Sequence, residues 1–342
     1  MSSFRTSAVL ASGILLAALY HRAVAQELEP GAYQNAPVAM NVVALGYAYS
    51  NGNVLVDASL PLEDVSANVH TVVPGYVRTL NVLGLSAKLD AQVPISLASF
   101  KGQVNGVQRE RSPSGLADPR MRFAINLLGA PALALPEFAK YRQRTILGTS
   151  LQVVAPLGQY DHDRLINLGS NRWSFRTEIG VGQAFRRWTF ELAGGAWFFT
   201  ENADFFGGSS LTQDPLYYVK GNVIYVFRRG LWLSFSAGHA EGGETQVNGA
   251  ARHDLQSNNR VGANLALPIR RATTLKITYT NGLSTRLGAD FNSIGASVQY
   301  SWGGGRRKQA QVAAQTGMQE DPIFAAARVS PSDDPASQPV LW

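Results

Sequence analysis

Alternation of apolar and polar residues is the dominant pattern in this chain. Between Leu85 and Leu97 every second residue is apolar, while the positions between them include Lys88 and Asp90. Successive side chains of a β-strand point to opposite faces, so the pattern predicts a strand with one apolar and one charged face. The same alternation recurs at residues 121–127, 173–181, 261–269 and 275–279. The chain is therefore predicted to be all-β.

About twelve strands are predicted in this way, an even number, as in bacterial outer-membrane barrels. They begin near Val38, Ala67, Leu85, Asp118, Thr145, Arg172, Trp188, Pro215, Leu231, Gln256, Thr274 and Phe291. Short links at residues 81–84, 186–187, 228–230 and 270–273 alternate with longer polar loops, such as 159–171, 201–214 and 240–255. Short periplasmic turns and longer external loops are typical of such barrels. The long link at residues 129–144 is an exception, and a helical turn is predicted within it around residues 137–141.

Aromatic residues on the apolar face collect at the strand ends, as expected where rings lie at the two bilayer interfaces. A soluble sandwich or propeller would also contain many alternating strands, but it needs neither aromatic belts nor this alternation of link lengths. Lipid offers no partners to the backbone, so a sheet in a membrane must close on itself. We therefore predict a closed antiparallel transmembrane β-barrel. One predicted belt contains Tyr47, Tyr49, Trp173, Phe175 and Phe198, and the other Phe185, Trp188, Phe227, Tyr300 and Trp302.

The start of the chain resembles an export signal. Arg5 is followed by a short apolar run over residues 8–20 and by small residues that end at Ala25. This layout predicts a signal peptide over residues 1–25, with cleavage between Ala25 and Gln26. Residues 26–37 are predicted to form a periplasmic N-terminal segment, residues 38–302 the barrel, and residues 303–342 a disordered periplasmic tail, because the tail has little apolar surface to bury.

Composition narrows the expected partners. The formal net charge of +6 is compatible with nucleic acid, but export and the scattered positions of the basic residues argue against it. The chain contains no cysteine, which excludes disulfides and thiolate metal sites. The predicted location is the outer membrane of a Gram-negative bacterium. The predicted partners are outer-membrane lipid, lipopolysaccharide, the barrel-assembly machinery and a small-molecule solute.

If the apolar face meets lipid, the charged side chains that alternate with it point into the lumen. Basic groups outnumber acidic ones there by three to one, and an excess of fixed positive charge favours anions. Alternatively, these groups pair with loop carboxylates and only solvate the interior. Twelve strands lie between filled eight-stranded and open sixteen-stranded barrels, so a narrow path is predicted, which an inward loop could still close. The predicted pore-lining residues are Arg78, Lys88, Asp90, Arg120, Arg122, Arg172, Arg176, Glu178, Glu191, Lys220, Arg260 and Lys276.

No catalytic, metal or cofactor site is predicted. Catalysis would need a nucleophile and a base within hydrogen-bond reach. Ser236 and His239 are three positions apart on a predicted strand, which places them on opposite faces. Asp161, His162 and Asp163 could hold a divalent cation or bridge lipopolysaccharide through one, but such a trio in a Gly-rich loop is usually only solvated. The other histidines of the predicted mature chain, His70 and His253, lie far apart in sequence.

Five stretches of the chain resemble the outer-membrane family described as the putative MetA-pathway of phenol degradation. The resemblance implies an outer-membrane barrel transporter without a catalytic motif. The family's link to phenol breakdown rests on neighbouring genes rather than on chemistry. Members usually end with the last strand, so the tail beyond Trp302 departs from the pattern. The stretches are ELEPGAY (27–33), SGLADPRMRFAINLLGAPAL (114–133), LQVVAPLGQYDHDRLINLGSNRWSFRTEIGVGQA (151–184), ENADFFGG (201–208) and DLQSNNRVGANLALPI (254–269).

The sequence therefore favours passive passage of small solutes through a basic-lined lumen. Anionic solutes follow from the predicted lumen charge, whereas aromatic solutes follow only from the family description. A non-conducting structural or receptor barrel is the alternative, and an outer-membrane lipid hydrolase is the least favoured one.

Overall fold

A computed structural model describes residues 28–55, 62–104, 107–164, 166–286 and 288–304. The predicted signal peptide, its cleavage site at Ala25 and Gln26, and the predicted tail from residue 305 onward lie outside the described residues. Within the described ranges, no helix is long and apolar enough to cross a membrane.

The described chain is dominated by antiparallel strands. Twelve of them form a closed barrel, which β1 completes by pairing with both β2 and β19. These are β1 (Met40–Leu55), β2 (Leu62–Val82), β3 (Leu85–Gln92), β7 (Arg120–Leu128), β8 (Thr145–Val154), β9 (Ser174–Phe185), β10 (Trp188–Phe199), β13 (Leu216–Arg228), β14 (Leu231–Gly242), β17 (Gln256–Arg270), β18 (Thr273–Thr285) and β19 (Gly288–Gly303). The predicted strands and the closed barrel are confirmed, and the largest error in a start is at β2, predicted to begin at Ala67.

The outer face of the barrel is apolar, as the alternation predicts. Leu45 is 59% exposed, Phe235 is 62% exposed and Ile179 is 56% exposed, although all three lie within long strands. Such exposure is unfavourable in water but matches the lipid-facing band of a membrane barrel. Both predicted aromatic belts lie on this face, with Trp173 and Phe198 near one rim and Trp188 and Trp302 near the other.

One predicted strand is broken into two. The alternation from Leu85 to Leu97 predicts a single strand, but β3 ends at Gln92 and β4 (Ile95–Val104) begins after Pro94. Proline lacks a backbone N–H and cannot donate to the ladder. β2 therefore pairs with β3 along one half and with β4 along the other, and the change falls beside Pro74.

Short strands beyond the barrel extend its outer end and were not predicted. β4 also pairs with β5 (Val107–Arg111) and β6 (Ser114–Leu116). The loops carry a separate four-stranded sheet around a small cluster of Phe205, Leu211 and Val247. Its strands are β11 (Asn202–Phe205), β12 (Ser209–Gln213), β15 (Thr245–Val247) and β16 (Ala250–Ala251).

The long link between β7 and β8 lies at the opposite, periplasmic end. It contains the helical turn α1 (Leu135–Phe138), which overlaps the start of the predicted one. The Leu135 N–H donates to the Gly304 carbonyl over 3.1 Å, the Val38 N–H donates to the Leu133 carbonyl over 2.9 Å, and the Ala132 N–H donates to the Gly84 carbonyl over 2.9 Å. The link therefore joins strands that are far apart in sequence at the periplasmic rim.

Candidate functional site: the barrel interior

The N-terminal segment lies inside the barrel. The Lys88 ammonium donates to the Ala32 carbonyl over 3.1 Å, and the Gly31 N–H donates to a Glu191 carboxylate oxygen over 2.9 Å. Lys88 belongs to β3 and Glu191 to β10, so the segment is held from separate parts of the wall. The prediction that residues 26–37 form a periplasmic segment is therefore wrong for residues 28–33. Residues Leu28–Pro37 are called the inner segment below.

Glycines in the wall make room for the inner segment. A Cβ added to Gly148 would overlap the Tyr33 ring, and one added to Gly180 would lie 2.5 Å from it. Real Cβ atoms do not approach other atoms so closely. The Tyr33 ring therefore occupies the space that the side chain of any other residue at positions 148 and 180 would fill. The Leu28 side chain packs closely against Gly238 of β14 and Gly262 of β17, 3.2 Å from where a Cβ at either position would lie. The inner segment thus has a shaped seat rather than a loose position in the lumen.

Glu29 adds a negative charge to a basic region of the wall. Its carboxylate forms an ion pair with Arg122, which also pairs with Asp90 over 2.9 Å. Burial opposes ionisation of Glu29, but attraction by Arg122, Arg176, Lys220 and Lys276 outweighs it and holds the pKa of Glu29 well below its usual range. Glu29 is therefore ionised at neutral pH and acts as a counter-charge that the wall itself does not supply.

Glu178 is the centre of a second buried polar cluster. It pairs with Lys220 over 2.8 Å and accepts hydrogen bonds from the Tyr218 hydroxyl over 2.6 Å and from the Tyr33 hydroxyl over 3.0 Å. Burial and the negative charge of Glu178 raise the pKa of Tyr33, so its hydroxyl stays protonated and donates. Hydrogen bonds to an ionised acceptor are stronger than neutral ones. The inner segment is thereby tied to β9 at its aromatic residue.

At its other end the inner segment contacts the periplasmic link. The Asn35 side-chain amide donates to the Pro131 carbonyl over 3.1 Å, and the Asn35 N–H donates to the Gln143 side chain over 3.3 Å. The Thr79 hydroxyl of β2 donates to the Pro37 carbonyl over 2.6 Å. The exceptional length of the link between β7 and β8 therefore has a structural use, because it holds the segment where it leaves the lumen.

Most of the predicted pore-lining residues do face the interior. Strand alternation and burial place them on the inner side of seven strands and of the residues just before β9. The structure brings Asp90, Arg122, Glu178, Glu191 and Lys220 together around the inner segment, whereas Arg260 on β17 belongs to another part of the wall. The inward-facing residues are Lys88, Asp90, Arg120, Arg122, Arg172, Arg176, Glu178, Glu191, Lys220, Arg260 and Lys276.

Arg78 is on the outer face, which corrects its predicted place in the lumen. It alternates in phase with Val72 and Tyr76, both of which are exposed to the outside, and it donates to the Asn41 side chain over 3.0 Å. β2 carries valines on both faces, so its alternation alone could not distinguish inside from outside. Arg78 lies near the periplasmic end of β2, where a long side chain can extend its charge to the membrane surface.

A group of arginines lines the outer half of the lumen. Arg120 donates to the Gln92 side chain, and Arg176 donates to the Gln152 side chain over 2.8 Å. The guanidinium of Arg172 lies 4.5 Å from the centre of the Phe199 ring, and that of Arg176 lies 5.4 Å from the Trp197 ring. For Arg172, the amide of Gln213 and the Phe199 ring stabilise the guanidinium without cancelling its charge.

Inward aromatic residues narrow the same region. Trp197 is only 2% exposed and packs with Leu216, Tyr218 and Val154. Sequence reasoning did not single out Trp197, Tyr218, Tyr33 or Glu29. Trp197 and Tyr218 could have been found, because they occupy inward positions of strands that were predicted correctly.

Two cavities of different volume lie in the lumen. A cavity beside the inner segment, between Tyr33, Glu178, Glu191 and Lys220, has a volume of about 10 Å³, roughly one water molecule. A larger cavity of about 190 Å³ lies along β1, β18 and β19. Its inward-facing lining consists of Gly46, Ala48, Val73, Thr278, Thr280, Ser293, Gly295 and Ser297.

The other candidate sites do not assemble. Ser236 is buried in the interior, whereas His239 faces outward and contacts the Asn259 side chain over 3.0 Å, on the opposite side of the strand. In the described part of the chain, no group of three or more His, Cys, Asp or Glu residues could hold a metal ion. His162 instead contacts Asp204 over 3.3 Å, and that hydrogen bond raises the pKa of His162.

Comparison with solved structures finds outer-membrane proteins of graded similarity. The COG4313 outer membrane channel from Pseudomonas putida F1 superposes with a TM-score of 0.69 at 20% identity, covering 81% of this chain and all (100%) of that one. The beta domain of the Bordetella autotransporter BrkA gives a TM-score of 0.46 at 11% identity, covering 77% of this chain and 100% of that one. The KdgM porin gives 0.39 at 9% identity, covering 76% and 99%. The likeness to the Pseudomonas structure supports an outer-membrane barrel.

Comparison with curated protein sequences finds no match. The family described as the putative MetA-pathway of phenol degradation matches residues 47–300, which is most of the barrel. That match agrees with the resemblance seen in the sequence and with a location in the bacterial outer membrane. The chain belongs to the family of the putative MetA-pathway of phenol degradation.

Proposed function

We propose that this protein is a passive outer-membrane channel whose interior favours small anions. A closed barrel with an apolar outside and a polar inside is suited to carry solutes across lipid. The similar structure from Pseudomonas putida F1 is described as an outer membrane channel, which supports the same general role here.

The excess of basic groups on the inner face carries the proposal. The inward-facing set contains eight basic side chains and three acidic ones, and Glu29 supplies one further negative charge. Fixed positive charge in a narrow, partly desolvated bore attracts anions and repels cations. The alternative is that interior charges only pair with carboxylates, and it describes Arg122 and Lys220 well. It does not describe Arg172, whose guanidinium contacts the Gln213 amide and the Phe199 ring.

Bilayer recording tests this proposal. In a salt gradient across a planar bilayer, the reversal potential should have the sign of anion preference. Changing Arg172 and Arg176 together to Gln should reduce that preference, because the change removes two positive charges from the outer half of the lumen. Arg78→Gln is the matched control, since Arg78 faces outward and its loss should leave the reversal potential unchanged.

Two outcomes would defeat the proposal. A reversal potential with cation preference would refute the anion selectivity. Absence of both current and liposome swelling would refute the channel and favour the structural or receptor barrel. The family description makes aromatic acids sensible first solutes to test.

A catalytic role has no support from the geometry, and we propose that the protein is not an enzyme. His70 accepts from or donates to the Tyr47 hydroxyl over 2.7 Å on the outer face, and His239 also faces outward. Hydrolysis of acyl esters by the purified barrel, lost in His70→Ala or His239→Ala, would reverse this conclusion.

We also propose that export removes residues 1–25. Leu28 lies inside the barrel against Gly238 and Gly262, so only a short stretch before it can be accommodated easily in the narrow lumen. Intact mass of the protein from outer membranes should correspond to a chain that begins at Gln26. A mass that includes the first 25 residues would contradict this. We further propose that the chain beyond Trp302 is a periplasmic tail and that the barrel contacts lipopolysaccharide and the barrel-assembly machinery. Crosslinking in cells can test these contacts.

A further inference from the structure

We infer that solutes cross the barrel along one side of its interior, next to the inward side chains of β1, β2, β18 and β19. This surface is called the small-residue wall. The inference rests on the proposed channel function and adds the path and the size of the solute. Its inward residues include Ala44, Gly46, Ala48, Thr71, Val73, Thr278, Thr280, Ser293, Gly295 and Ser297.

Tyr33 of the inner segment lies on the opposite side of the lumen from the small-residue wall. A Cβ on Gly148 or Gly180, across the barrel, would strike Tyr33. By contrast, the nearest atoms to a Cβ on Gly46 are Ser297 Cβ at 3.6 Å and the Val73 carbonyl oxygen at 3.7 Å, both of them parts of the wall itself. The described part of the inner segment therefore fills the space beside Tyr33 and reaches β14 and β17 through Leu28, while the cavity along β1, β18 and β19 stays open beside it.

The open side has room for a solute. Its cavity of about 190 Å³ contrasts with about 10 Å³ beside the inner segment. A cavity of roughly 150 Å³ in another protein is large enough to bind benzene. The cavity therefore has room for a solute of about one six-membered ring.

The chemistry of the small-residue wall also limits the solute. Thr278, Thr280 and Ser297 offer hydroxyls, while Gly46 and Ala48 offer only hydrogens and methyl groups. Lys276 also faces inward from β18, but it attracts Glu29 of the inner segment. A solute on this path thus meets neutral hydrogen-bonding groups at contact distance and feels the positive charge from farther away. We infer that it is a single-ring or smaller molecule, neutral or singly negative.

Single cysteines can locate the path, because the chain has none of its own. Ala48→Cys and Ser297→Cys place a thiol on the small-residue wall. Ala237→Cys, which faces outward on β14, is one control, and Ala193→Cys, buried on the side of the inner segment, is the other. All four are small changes, and heat-modifiable mobility on gels shows whether each barrel folds.

Modification by a benzyl methanethiosulfonate should lower the conductance of Ala48→Cys and Ser297→Cys by at least about twofold, because the added ring fills the bore. It should leave the conductance of Ala237→Cys and Ala193→Cys unchanged. Block at Ala193→Cys without block at Ala48→Cys would overturn the inferred path. If the unchanged protein folds but carries no current, the channel proposal itself fails. If Ala48→Cys and Ser297→Cys conduct and ignore the reagent, only the path fails.

Liposome swelling tests the size limit separately. A monosaccharide should enter liposomes that contain the barrel, and a disaccharide should not. Equal rates for both sugars would contradict the single-ring limit.

Discussion

Two sides of the same lumen have opposite characters. The side formed by β3, β7, β9, β10 and β13 presents ionised groups, and its free space beside the inner segment is about 10 Å³. The small-residue wall presents hydroxyls, methyl groups and hydrogens, and its cavity measures about 190 Å³. Charge in a pore is often assigned to selectivity alone. Here much of the charge anchors a segment of the chain, and the space for solutes lies along small neutral residues, with Lys276 of β18 nearby.

Changing a glycine on each side should have opposite effects, and this is the largest difference we predict. In Gly180→Val the new side chain must overlap Tyr33, because even its Cβ would lie only 2.5 Å from the Tyr33 ring, so the inner segment is displaced. Single-channel conductance should rise several-fold, on the order of the difference between a filled and an open bore.

In Gly46→Val the new side chain enters the open cavity, and conductance should fall. Equal changes of the same sign in the two variants would show that the two sides of the lumen do not differ as described. Heat-modifiable mobility should confirm that both barrels fold.

Loss of the Glu29 charge should loosen the inner segment. In Glu29→Gln, Arg122 keeps its pair with Asp90 but loses its second carboxylate. Breaking a buried pair from one side costs about 3 kcal/mol, and we expect a somewhat smaller loss because Asp90 remains. Single-channel records should show frequent openings to a higher level, and anion preference should increase.

The matched control for Glu29→Gln is Glu110→Gln. Glu110 pairs with Lys101 over 3.7 Å, and both side chains are more than half exposed. An exposed pair contributes roughly 0–1 kcal/mol, so this variant should behave like the unmodified protein. Records of Glu29→Gln that match those of Glu110→Gln would contradict the role of Glu29 as a tether.

The smallest effect is expected from moderate acid. The folded-state pKa of Glu29 is lowered, so its stabilising contribution is complete above the ordinary glutamate value of about 4.3 and is lost only as pH falls toward the folded-state pKa. Between roughly pH 7 and pH 5 Glu29 stays ionised, so its part in holding the segment, and with it the frequency of high-conductance openings, should stay constant. A steep rise near pH 6 would mean that a different titrating contact, such as Glu191 with the Gly31 N–H, controls the openings instead of Glu29.

The barrel could be predicted from sequence because its determinants are local. Alternation at Leu85–Gln92 or Val261–Ile269 is visible within one strand and needs no knowledge of its neighbours. Arg78 was placed wrongly because valines occupy both faces of β2, and its true side follows only from pairing with β1. The break between β3 and β4 falls where Pro94 follows Val93, which pairs with Pro74 of β2, and no single strand reveals this pairing.

The inner segment could not be predicted because its partners come from many strands. ELEPGAY has no period, and nothing within it shows that Glu29 meets Arg122 of β7 or that Tyr33 fits against Gly148 of β8 and Gly180 of β9. The external sheet escaped prediction for a different reason, since its strands are two to five residues long, too short to show alternation.

The most direct test compares the full chain with one from which residues 28–37 are removed while the signal peptide is kept. We expect a small, anion-preferring single-channel conductance for the full chain and a much larger one for the shortened chain, with the barrel folded in both. Identical conductance in the two proteins would mean that the inner segment does not occupy the lumen.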